Sequence, residues 1–164
     1  SAVLMASAVL PSRAQGALPA ESFTLKQSAP SLGSNIRREN LTSSMPLNRS
    51  WAELSPEHQR AFKSQYEVMG VGDEPPFPLD GLVAIYGPLN KGLEKLDSLG
   101  ILEMHVEIDA TGEAREVKVL RSPSAKVTRF AATVLMLTKY KPALCAGVPC
   151  AMAMPIRLDI KLIP

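Results

Sequence analysis

Two cysteines, Cys145 and Cys150, are the only thiols in a chain of 164 residues, and they flank Ala146-Gly147-Val148-Pro149. That spacing puts them on the two arms of a turn, where a disulfide can staple one arm to the other. A redox-active pair usually has the C-x-x-C spacing, and no residue beside these two would depress a thiol pKa. A zinc site needs more ligands than two thiolates. The spacing therefore favours a structural disulfide, formed in an oxidising compartment, over a catalytic or metal-binding pair. A second group is Glu103, His105 and Glu107, which alternate along one stretch and so share one face of a strand. One imidazole and two carboxylates can hold a metal, but alternating charges are also what the solvated face of an antiparallel sheet shows, and that reading is preferred. The other histidine, His58, falls in a separate element. No serine sits in a Gly-x-Ser-x-Gly elbow, no phosphate loop is present, and Gly70-Val71-Gly72 lacks the strand-to-helix context of a dinucleotide site. No cofactor is expected, and a metal- or redox-dependent enzyme is the disfavoured alternative.

Composition narrows the field further. Eighteen Lys and Arg against sixteen Asp and Glu give a net charge of +2, with charged residues at 21%. There is no basic excess to neutralise a nucleic-acid backbone. Aromatic residues at 5% argue against a base- or sugar-stacking platform. A hydrophobic fraction of 46% suffices for one ordinary domain with some tail.

The first residues bear on location. Ala2 to Leu10 is an apolar run, and Pro11-Ser12-Arg13-Ala14 places small residues at positions suited to a signal peptidase. Residues 1–14 read as part of a signal peptide, and an uncleaved membrane anchor is the rival reading. Residues 15–50 show neither helical nor strand periodicity, and read as a disordered tether.

From Trp51 the pattern becomes regular. Ser55-Pro56-Glu57 starts a helix, with a hydroxyl cap, a proline at the first position and a carboxylate in the first turn. Phe62, Tyr66 and Met69 continue its apolar stripe, so this extension over 51–72 is expected to end near Gly70. Asp73 to Pro78 must be extended, because its prolines exclude helix. Asp80 is then expected to cap a second helix with Leu82, Ile85, Leu89, Leu93 and Leu96 on one side, kinked at Gly87-Pro88.

Strand signals follow. Leu102, Met104, Val106 and Ile108 alternate with charged residues, Asp109 to Gly112 forms a turn, and Val117 and Val119 continue into a second strand. Ser122-Pro123-Ser124 leads into a helix expected to turn Val127, Phe130, Ala131, Val134 and Leu137 to the core. A last strand carries Met152, Met154, Ile156, Leu158, Ile160 and Leu162. The expected fold is α+β: a two-layer sandwich of a three-stranded antiparallel sheet with helices packed on one face.

An ordered set of pieces gives these elements a family likeness. Pro75-Pro76-Phe77-Pro78 precedes a helix; Gly100 opens the strand to Ile108-Asp109 and Gly112; Val117 to Ser122 forms the next strand; and Tyr140-Lys141-Pro142-Ala143 and Gly147-Val148-Pro149 precede the closing strand. Together they resemble the C-terminal domain of TonB energy transducers, over about Pro75 to Ile163.

The resemblance implies a domain over 73–164 that binds protein in the bacterial envelope rather than an enzyme. TonB-type domains pair an exposed edge strand with an extended peptide of an outer-membrane receptor. Carried onto this sequence, the partner-binding candidates are Cys150, Met152, Met154, Ile156, Arg157 and Leu158 on the closing strand, with Tyr140 beside them. The N-terminal run reads as cleavable, and 15–50 lacks the proline-rich repeats of a transducer spacer. The favoured reading is thus a periplasmic or secreted module that binds an envelope protein by edge-strand addition, with no membrane span in the mature form. An anchored transducer in receptor-coupled transport is the alternative. Self-association through an edge strand stays open.

Overall fold

The computed structural model describes residues 45–161. The readings of 1–14 as a signal peptide and of 15–44 as tether fall outside the described residues, as does Leu162.

Among the described residues, Met45 already lies against the core ahead of Trp51. A short 3-10 turn, Trp51–Glu53, leads to helix α1, Pro56–Lys63, whose cap is Ser55 accepting the His58 N–H. The helix stops well before Gly70. The Gln65 and Tyr66 N–H groups bond back to the Phe62 and Lys63 carbonyls in tighter turns, and the Ser64 hydroxyl donates to the Ala61 carbonyl at 2.6 Å. These local bonds satisfy the last carbonyls and release the chain from helical geometry. Trp51, Phe62 and the buried Phe77 then cluster, with Phe62 edge to face against both other rings and its centroid 5.1 Å from that of Phe77. The aromatic stripe thereby fastens the extension to the rest of the molecule.

The proline-rich stretch is extended, as its composition requires, and it is also paired. Glu74 exchanges two backbone hydrogen bonds with Leu144, at 2.8 and 2.9 Å. Strand β1, Phe77–Pro78, pairs antiparallel with β4, Tyr140–Lys141. The prolines hide this pairing in the sequence, but Glu74 and Leu79 on either side of them keep their donors. Lys141 ties the arrangement together: its ammonium meets Glu74 at 3.0 Å, donates to the Pro75 and Pro142 carbonyls and sits 5.7 Å from the Trp51 ring centre.

Helix α2 spans Val83–Leu93, and Asp80 does not cap it. A turn at Gly81 leaves Asp80 exposed, and the Val83 N–H is taken instead by the Leu47 carbonyl at 2.8 Å. A backbone group from the N-terminal segment thus replaces a side-chain cap. The helix runs unbroken through Gly87-Pro88. Burial of Ile85, Leu89 and Leu93 on one side holds it together across the hydrogen bond that Pro88 cannot make.

Among the described residues, the main sheet has three antiparallel strands in the order β3-β2-β7: β2 is Gly100–Ile108, β3 is Ala114–Arg121 and β7 is Met152–Ile160. Leu102, Met104, Val106 and Ile108 are all buried, as their alternation requires. Helix α3, Ala125–Leu137, is capped by Ser124 and lies against β3 and β2, and α2 lies against α3. Val127, Ala131, Ala132 and Leu135 form its buried side, with Phe130 and Val134 partly buried. Leu137, expected inside, is exposed, because the stripe of i, i+4 and i+8 from Val127 arrives at Leu135 instead.

A small hairpin completes the fold. Strand β5, Ala143–Cys145, pairs with β6, Val148–Cys150, around Ala146 and Gly147. Both turn residues have positive φ, +50° and +81°, which is the geometry of a type I′ hairpin turn. Cys145 and Cys150 are disulfide-paired across it, with Cα atoms 5.8 Å apart. Among the described residues, no helix is long and apolar enough to cross a membrane.

Candidate peptide-docking edge

Strand β7 follows the stapled hairpin and pairs with β2 in unbroken register from Gly100↔Ile160 to Ile108↔Met152. Among the described residues, it stands at one end of the sheet. In an antiparallel ladder alternate residues direct their backbone groups to the neighbouring strand and away from it. Pro155, opposite His105, has no N–H to give, so it fits an outward-directed position. Ala153, Arg157 and Asp159 share its parity. Their backbone groups therefore form the outer edge, while Met154 and Ile156 bond inward.

Side chains follow the same alternation. Met154 and Ile156 are fully buried in the core, and Met152, Leu158 and Ile160 are partly buried against it. On the opposite face, the Arg157 guanidinium meets Glu103 at 3.2 Å, and Asp159 pairs with Lys161 at 2.9 Å. Tyr140 is buried, and its hydroxyl donates to the Leu135 carbonyl at 2.8 Å. Burial pushes that phenol well above its usual range. Cys150 is half-buried in the staple. Of the candidate contact residues, then, Tyr140, Met154 and Ile156 present no side chain to a partner. The edge offers backbone together with Arg157, Leu158 and Met152.

Two tyrosines reach this edge, and sequence reasoning missed both. The Tyr66 hydroxyl donates to the Ala153 carbonyl at 2.8 Å, and the Tyr86 hydroxyl lies 3.5 Å from the Arg157 carbonyl. Burial raises the Tyr66 phenol well above its ordinary value, with a further push from the Glu107 charge, and burial lifts Tyr86 to about 12. Both remain neutral donors at neutral pH. These contacts span 87 and 71 residues of chain, so no local pattern announces them. A proline at 155 within the strand pattern is the local signal that could have pointed to an outward edge, and the sequence reading did not use it.

Of the Glu103, His105 and Glu107 set, both carboxylates are ion-paired. Glu103 is bridged to Arg157, and Glu107 to Lys118 at 2.9 Å. Among the described residues, no group of three or more His, Cys, Asp or Glu is placed to hold a metal ion.

In comparisons with known proteins, no family model matches the chain and no curated protein matches it.

Proposed function

We propose that this chain is a non-catalytic, periplasmic protein-binding module that takes an extended segment of an envelope partner along the outer edge of β7. The observation that carries the reading is the position of β7, a nine-residue strand in unbroken register at the end of its sheet. Such an edge is a template for a further strand, with backbone bonds for affinity and flanking side chains for selectivity. The opposite edge is poorer. Strand β3 loses register against β2 between Glu103 and Met104 and again between Glu107 and Ile108, and irregularities of this kind twist an edge away from pairing.

In this proposal the sheet and the helices α2 and α3 form two layers, in the manner of a TonB C-terminal domain, with β7 as the closing strand. The Cys145–Cys150 staple supports an oxidising compartment. The test is a selection of displayed peptides on the full chain, followed by binding of the winners to Asp159→Pro. That substitution removes an outward N–H without touching the β2 ladder. Loss of binding by at least tenfold is expected; unchanged binding, or no selected peptide, overturns the reading.

A further inference from the structure

The edge of β7 is not uniformly open. Outward carbonyls and N–H groups at Ala153, Pro155, Arg157 and Asp159 would all be used by a long added strand. The Ala153 carbonyl is already bonded to the Tyr66 hydroxyl, and Pro155 brings no N–H. Among the described residues, the Arg157 carbonyl has only the long Tyr86 contact, and the remaining outward groups towards Lys161 are the Arg157 N–H and both groups of Asp159.

Resting on the strand-addition reading, we propose that Tyr66 and Pro155 confine an incoming peptide to the C-terminal half of β7, from Pro155 to Lys161. The peptide that fits is short and two-faced. Its side chains on one side meet Leu158 and Ile160, which are partly buried at the margin of the core, and so are apolar. On the other side they meet Arg157, held by Glu103, and the half-exposed Asp159, held by Lys161, and so are polar. A peptide residue opposite Pro155 gives its N–H to the Pro155 carbonyl and leaves its own carbonyl in water. Tyr66 acts here as a positioning residue that sets the register by closing one end. The N-terminal extension that carries it is fastened by the Trp51, Phe62 and Phe77 stack, so the closed end is built into the fold.

Amide protection read by NMR on the full chain, with and without a capped peptide of alternating valine and lysine as the probe, tests this. The expected result is a gain of protection at Arg157 and Asp159, with Ala153 unchanged. In Tyr66→Ala the gain should extend to Ala153, with β2 amides reporting that the sheet is intact. If that variant does not fold, Tyr66→Phe frees the same carbonyl and should raise the affinity of the probe severalfold. Protection at Ala153 in the unaltered chain would overturn the confinement while leaving strand addition standing. No gain anywhere on β7 would overturn strand addition and the confinement with it.

Discussion

The carboxylate of Asp73 accepts the backbone N–H of Ala146 at 2.7 Å, and its other oxygen accepts the Gly70 N–H at 2.7 Å. One side chain thus joins the loop before β1 to the tip of the stapled hairpin. The Gly72 carbonyl adds a bond from the Gly147 N–H at 3.1 Å. Ala146 is held at a φ of +50°, a left-handed conformation that costs an alanine about 1 kcal/mol. Asparagine tolerates that conformation and makes the preferred Asn-Gly turn. Ala146→Asn is expected to stabilise the fold by about 1 kcal/mol in urea unfolding. A loss of stability would show that the turn is not strained as described.

Reduction of the Cys145–Cys150 staple removes a short closed loop from the unfolded ensemble. The loop-closure relation puts that at about 2 kcal/mol, or on the order of 8 °C in Tm. Scanning calorimetry with and without a phosphine reductant reads it directly. The hairpin retains the Asp73 and Gly72 bonds, so the sheet should stay folded at room temperature, with its β2 amides still protected.

Gly112 has a φ of +87°, and a Cβ there would collide with the backbone carbonyl of Tyr140. The Tyr140 N–H in turn bonds the Gly112 carbonyl at 3.3 Å. The hairpin turn and β4 therefore meet backbone to backbone. Gly112→Ala combines a left-handed alanine with that collision, and a loss on the order of 3 kcal/mol is expected from chemical denaturation.

How much of this was legible in the residues depends on the range of the contacts. Period-two alternation placed Leu102, Met104, Val106 and Ile108 correctly, because a strand's two faces are written in consecutive residues. The Ser55 cap and the cysteine pair were legible for the same reason. What escaped was decided by distant backbone: the Leu47 carbonyl on α2, Glu74 pairing with Leu144, and Tyr66 on the Ala153 carbonyl. A proline-rich stretch says only that it is extended, and nothing local names its partner. Within the candidate site, a proline at 155 is a local signal of an outward-directed position, whereas Tyr66 and Tyr86, which reach the edge from distant parts of the chain, carry no motif.

The misplacement of Leu137 yields a direct contrast. Leu135 is 0% exposed and Leu137 75% exposed, two residues apart on α3. Leu135→Ala should cost about 2–5 kcal/mol, and Leu137→Ala less than about 0.5 kcal/mol, in parallel urea titrations. Equal costs would put the buried side of α3 elsewhere.

Acid should loosen the molecule through two carboxylates. The Ala146 and Gly70 N–H groups hold Asp73 below its ordinary value of 3.8. The Thr111 hydroxyl, the Glu113 N–H and Arg115 hold Asp109 well below the usual carboxylate range. Because both folded values are depressed, their stabilisation is fully present above the ordinary value and drains away as pH falls through it towards the folded one. The urea midpoint should thus be flat from neutrality to about pH 5 and fall steeply towards about pH 2.5. Asp109→Asn should start lower and fall less steeply over that range. An unchanged slope in that variant would mean that the Asp109 turn is not what acid undoes.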